Sequence, residues 1–282
     1  MRAFSESKFQ VSKLMRILLI GFLGFLLANT YADDKYLAPW LINYDDVERH
    51  VFIKEKGERN NRRFSTVEFY SGNIFFDLNT QKKTLLLSGN KIVQMSHFNW
   101  FQWDQTDPTI RYSSEFGMYG PKFIPVFQQY HSMDKQNNFN HYLSMGYKTS
   151  EIPILHYQSS GLGVDKVELR YDKLYSEDML IPLLRKMLWD KKKEFEMNLL
   201  GNLSNPPGSF RVQYAKAKVM DRHFPIKEFG DNHVVLIQII RDDGRLASYW
   251  FSREGNHRLI KAILLDGSVL TLIDYKRIKK SK

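Results

Sequence analysis

Eight histidines are the first place to look for metal or acid–base chemistry in this chain. His50, His97, His131, His141, His156, His223, His233 and His257 never stand three or four residues apart, so no helix turn presents two imidazoles. No His-Glu-x-x-His or calcium-loop spacing occurs, and there is no cysteine to act as thiolate ligand or nucleophile. A Gly-x-Ser-x-Gly elbow is absent, and Ser159-Ser160-Gly161-Leu162-Gly163 reads as a turn. Phosphate-cradling glycine loops are missing too. The expectation is no catalytic residue, no metal ligand and no cofactor.

One constellation has the composition of a binding surface. His97-Phe98-Asn99-Trp100-Phe101-Gln102-Trp103 carries four aromatics in seven positions. On a strand, Phe98 and Trp100 would face one way while Phe101 and Trp103 face the other. Trp combines an apolar body with a polar edge, which suits the mouth of a ligand cleft. Trp100, Phe101 and Trp103 are therefore the candidate ligand-binding residues. Asp104 and Asp107 follow at once and are the alternative: a carboxylate pair for a hydrolase acting on an envelope polymer.

The elements that must position these residues are mostly strands. Val47–Lys54, Phe64–Tyr70, Ile74–Leu78, Thr84–Leu87 and Lys91–Met95 are separated by polar or Gly/Asn turns, including Ser71-Gly72-Asn73. Residues 97–150 are less regular, rich in aromatics and interrupted by Gly and Pro. In the last third, the strands His233–Arg241, Leu246–Ser252, His257–Leu265 and Ser268–Lys276 are joined by Asp243-Gly244, Gly255-Asn256 and Asp266-Gly267, strong hairpin signals. One helix is expected over 176–190. Ser176 is its N-cap, Glu177 and Asp178 meet the positive dipole end, and Leu180, Leu183, Leu184, Met187 and Leu188 form one apolar stripe. Pro182 restricts the regular part to begin near Ile181. Lys191-Lys192-Lys193 then sits where the helix dipole favours cations.

Residues 1–32 read as a secretory signal peptide. Arg2, Lys8, Lys13 and Arg16 precede the apolar run Ile17–Ala28, and Thr30-Tyr31-Ala32 offers small residues for cleavage after Ala32. The run spans roughly 18 Å as helix, short of a hydrocarbon core of about 30 Å, so no transmembrane span is expected in the mature chain. Periplasmic or otherwise exported location follows as an expectation. Without cysteine the chain can carry neither a lipid anchor on sulfur nor disulfides. The formal charge is +10; removing four Lys/Arg and Glu6 with the signal leaves 37 basic and 30 acidic residues, a net +7. Nucleic acid is not expected as a partner of an exported chain. The domain plan is a β-rich domain over 33–276, possibly in halves 45–171 and 172–276, and a basic tail over 277–282.

The second half, roughly Val167 to Ile278, resembles an uncharacterised family of exported bacterial β-meander proteins, a domain of unknown function. The resemblance rests on Leu183-Leu184-Arg185 in the helix and on Trp250-Phe251-Ser252 followed by His257-Arg258-Leu259-Ile260-Lys261. It implies a curved antiparallel sheet with a helix on its concave side, similar in general plan to periplasmic lipoprotein carriers. The expected fold is therefore mainly β: a curved antiparallel meander, an open or partly closed barrel, with one packed amphipathic helix. The expected function is an exported, non-enzymatic envelope protein that binds a lipid-like ligand, or an envelope protein partner, in the sheet–helix cleft.

Overall fold

The apolar runs punctuated by Asp-Gly turns fold as antiparallel strands, and Gly244 and Gly267 take the positive φ (81° and 78°) that these tight turns require. The computed structural model describes Trp40 and residues 46–57, 62–77, 82–85, 95–106, 110–119, 122–134, 139–146, 154–159, 163–168, 171–201, 211–225, 233–253 and 256–279. The signal-peptide expectation for 1–32 and the position of Asp107 lie outside these residues.

Sixteen strands form a single sheet. They are β1 (Asp46–Lys56), β2 (Arg63–Asp77), β3 (Lys82–Leu85), β4 (Met95–Thr106), β5 (Ile110–Tyr119), β6 (Ile124–Asp134), β7 (Phe139–Gly146) and β8 (Ile154–Ser159). Then follow β9 (Gly163–Glu168), β10 (Leu174–Ser176), β11 (Glu194–Gly201), β12 (Arg211–Pro225), β13 (His233–Arg241), β14 (Leu246–Ser252), β15 (Leu259–Ile263) and β16 (Val269–Lys279). One helix, α1 (Leu180–Trp189), follows a 3-10 turn at Glu177–Met179. The strand order is β10-β11-β12-β13-β14-β15-β16-β1-β2-β4-β5-β6-β7-β8-β9, with β3 alongside β2. The first strand thus closes against the last, joining the two halves through β1 and β16. Among the described strand pairs, only β10 with β11 is parallel.

The sheet curls into a nearly closed barrel around α1. Phe52, Phe69, Phe101 and Phe116 from the early strands share one buried cluster with Ile237, Ile239, Tyr249 and Phe251 from the late ones. The expected helix stripe Leu180, Leu183, Leu184, Met187 and Leu188 is wholly within it. Pro182 falls in the first turn, where a helical N–H has no partner to lose. The mainly β architecture with one packed amphipathic helix is borne out.

Four local expectations need correction. Ser71-Gly72-Asn73 is no hairpin: β2 runs straight through it. Gly72 is there for close approach, since a Cβ would stand 3.4 Å from the Trp100 ring and 3.3 Å from Val47. The aromatic stretch is regular, with β4, β5, β6 and β7 paired as successive antiparallel neighbours. Ser176 caps nothing with its side chain; it ends β10 with its hydroxyl buried, and the 3-10 turn begins after it. Arg277, assigned to a basic tail, lies in β16, which continues to Lys279.

Candidate ligand-binding site

The site is set by which parity of each strand faces the lumen. On β1 the sequence offers Val47, Val51 and Ile53 on one face and Glu48, His50, Phe52 and Lys54 on the other. It is the polar parity that turns inward: Glu48, His50 and Phe52 are fully buried. Register carries the same level across the sheet. Glu48 meets Ser71, Phe101, Phe116 and Gln128 in turn, and the next level is His50, Phe69, Trp103, Ser114 and Tyr130. Phe52, Val67, Gln105, Tyr112 and Ser132 follow, and Lys54 opposite Ser65 completes the ladder. Along β1 the inward side chains therefore run from Glu48 through His50 and Phe52 to Lys54.

The ionic network centres on Glu48. Arg185 Nη2 donates to its Oε2 at 2.9 Å, Tyr275 OH to Oε1 at 2.9 Å and Arg277 Nη2 to Oε1 at 3.2 Å; Asn256 Nδ2 donates as well. Arg185 also donates through Nε and Nη2 to the Asn256 carbonyl at 3.1 and 2.8 Å, and its guanidinium lies 4.1 Å over the Trp40 ring. A charged group removed from water is tolerable only when its polar atoms are engaged in this way. Burial alone would raise the Glu48 carboxyl, but the charge and hydrogen bond of Arg185, with His50 and Tyr275, overcome it and hold the pKa at about 2. Burial, reinforced by Arg185, pushes the neighbouring His50 imidazole down to about 3.

These two shifts give the fold an acid limit. Both groups have folded values below their ordinary ones, so each contributes stability that is present above its ordinary value and lost as pH falls. The window for His50 runs from about 6.5 down to about 3, and for Glu48 from 4.5 down to about 2. Urea-unfolding free energies should therefore drop between pH 7 and pH 3. A His50→Phe variant should show a shallower drop from pH 6.5 downward, because it removes the imidazole that must be charged on unfolding. Identical slopes for the two proteins would reject the assignment.

At the opposite end, Lys54 Nζ donates to Gln105 Oε1 and to Tyr112 OH, each at 3.3 Å. Facing it are Glu177 and Asp178 at the start of the helical segment. Trp103 Nε1 donates to the Asp178 carbonyl at 2.9 Å, and Gln128 Nε2 donates to the Asp178 carboxylate at 3.1 Å and to Ser114 Oγ at 3.0 Å. Arg241 Nη1 reaches Glu177 Oε1 at 3.4 Å while its Nη2 holds Asp243 at 2.7 Å. Burial is the largest cause of every shift in the group: it lowers the Lys54 amine, raises Asp178 and pushes Glu177 up to about 7. Glu177 nonetheless keeps 38% of its side-chain surface accessible. Lys54, Trp103 and Tyr112 at this end are half-buried.

The three residues singled out from sequence do not meet at one surface. Phe101 is wholly buried, stacked on Phe116 with centroids 5.3 Å apart and on Phe69 at 6.1 Å. Trp100 is on the outer face, 9% exposed, packed with Val47, Tyr70, Val126 and Phe127, and its Nε1 donates to Glu115. Its row across the sheet reads Gly72, Trp100, Gly117, Phe127, glycine alternating with ring. A Cβ on Gly117 would come within 2.3 Å of Phe127, so that glycine makes room for that ring. Of the three, only Trp103 is both half-buried and on the inner parity, where it bonds the Asp178 carbonyl. Asp104 faces outward and accepts from Gln102 Nε2 at 2.7 Å.

The chain is similar to a solved structure, a beta-barrel-like protein of a domain of unknown function, DUF1849, from Brucella abortus. The identity is 10%, the TM-score 0.47, and the alignment covers 84% of this chain and 100% of that one. No family model and no curated protein matches this chain.

Sequence reasoning did not select Glu48, Lys54 or Tyr112, and read Glu177 and Asp178 only as helix-end charges. The available signal was parity. Glu48, His50 and Lys54 alternate in step with Phe52, the largest apolar residue of β1. Among the described residues no group of three or more His, Asp or Glu side chains could hold a metal ion, and no helix is long and apolar enough to cross a membrane.

Proposed function

We propose that this is an exported, non-enzymatic envelope protein that binds an amphipathic, lipid-like ligand in the recess at the Lys54 end of the barrel. The observation that carries the reading is the juxtaposition at that end. The half-buried rings of Trp103 and Tyr112 pack against the aromatic core, Tyr112 bonded to Lys54, which also meets Gln105, and Trp103 bonded to the Asp178 carbonyl. An apolar wall with a few convergent polar groups is the usual make-up of a small-molecule site. The hydrolase alternative loses its first pair, because Asp104 points away from the lumen. The acids that the lumen does bring together, Glu177 and Asp178, are held by Arg241 and by Gln128.

The test is mass spectrometry of organic extracts from protein purified natively from an envelope fraction. The expected result is a co-purifying amphiphile that is lost from Trp103→Ala and kept by Trp100→Ala, since Trp100 is on the other face. Intact mass of the same material should begin at Asp33. Extracts free of any amphiphile, or equal loss from both variants, would reject the reading.

A further inference from the structure

We propose that the C-terminal end of α1 is a docking surface for an anionic lipid bilayer, with Trp189 as the inserted side chain and Lys191, Lys192 and Lys193 as its cationic rim. This goes beyond the ligand reading and does not depend on it. The apolar stripe of α1 is buried, but its last residue, Trp189, is 42% exposed. Its ring meets His257, in the connection between β14 and β15, edge to face with centroids 6.3 Å apart, so the indole is braced at the surface. The three lysines that follow are all exposed. Beyond them the Val219 N–H donates to the Lys193 carbonyl at 2.9 Å, and Met220, at an irregularity of the β12 register, is exposed beside it. Two exposed apolar side chains thus flank one basic run.

Four lysines stand against two acids between Lys186 and Glu194, and both acids are already engaged. Asp190 pairs with Lys186 and lies 3.9 Å from Lys192, while Glu194 pairs with Lys216 at 2.6 Å. Among the described residues no carboxylate lies within 4.0 Å of Lys191 or Lys193. The helix dipole favours cations here, which is a structural account of the run. The backbone points further. The Lys191 N–H donates to the Leu188 carbonyl and the Lys192 N–H to the Met187 carbonyl, both at 3.0 Å, the bonds of a helix that ends in a left-handed residue. That residue is Lys191, at φ 57°, where glycine is the usual occupant because a Cβ is strained. A long cationic side chain therefore stands where the backbone favours none. An indole suits the bilayer interface, and lysines beside it suit anionic head groups. A soluble polyanion would use the lysines but has no apolar layer to take up Trp189.

The experiment is co-sedimentation of the natively purified protein with vesicles of phosphatidylcholine alone and of phosphatidylcholine mixed equally with phosphatidylglycerol. The mixed vesicles should bind at least about tenfold more tightly, at about fivefold for each lysine brought to an anionic surface. Lys191→Gly should weaken that binding about fivefold while its urea midpoint holds or rises, since the left-handed strain is relieved. A lysine with only a capping role would leave vesicle binding unmoved. Trp189→Ala should lose most of the binding to mixed vesicles and stay folded. Arg63→Gln, at a position paired with Lys56 at the far end of β1, should bind as the wild type does. Equal binding to the two vesicle types overturns the proposal. So does wild-type binding by Lys191→Gly, or a loss in Arg63→Gln as large as in Lys191→Gly, which would reduce the effect to the net charge of the chain. Wild-type binding by Trp189→Ala overturns it too and marks a plain basic surface, the site of a soluble polyanion.

Discussion

Replacing Arg185 by Met should destabilise the protein by about 3–5 kcal/mol, the cost of leaving a buried charge without its partner. Among the described residues Arg185 is the largest fully buried side chain, and Glu48 opposite it has no accessible surface at all. The methionine would fill most of the volume, so the loss reports the charge and not a cavity. Glu48 would keep Tyr275, Asn256 and Arg277 as donors, but the cation that dominates its stabilisation would be gone, and its carboxyl would protonate at higher pH. A double variant, Glu48→Leu with Arg185→Met, removes both charges and should recover part of the loss. Chemical denaturation followed by tryptophan fluorescence measures all three. A loss for Arg185→Met no greater than the roughly 0.5 kcal/mol of an ordinary surface substitution would mean that the network contributes nothing.

Phe101→Ala should cost about 3–5 kcal/mol, the usual penalty for removing a ring from a packed core. Phe101 joins the two sides of the aromatic layer: it stacks with Phe69 and Phe116 and touches Phe123 at 6.0 Å between centroids. None of its surface is accessible, so a direct ligand contact would require the core to open. The variant should therefore lose stability and, where it remains folded, bind the amphiphile with wild-type affinity. Reduced affinity at unchanged stability would place Phe101 in the site after all.

By itself the sequence determined the class of fold and the position of its best-patterned elements. The strands from His233 to Lys276 and the helix with its Leu/Met stripe were legible because each is a local pattern: alternation, a 3.6-residue period and Asp-Gly turns act over a few residues. The aromatic density of β4 was legible too, but not its meaning. Glycine at 72 reads as a turn because most glycines between apolar runs are turns. Here it lies inside β2, opposite Trp100, which comes from the neighbouring strand and is 28 positions away in the chain. Only the tertiary structure decided which face of β1 is the inner one. Val47, Val51 and Ile53 make the other face the more uniformly apolar one, yet the fold turns Glu48, His50, Phe52 and Lys54 inward. That inversion is stable because α1 carries Arg185 to Glu48 across 137 residues, and β16 adds Tyr275 and Arg277. Burial of a charge is unfavourable until its partner arrives, and the partner comes from a distant part of the chain that no local pattern names.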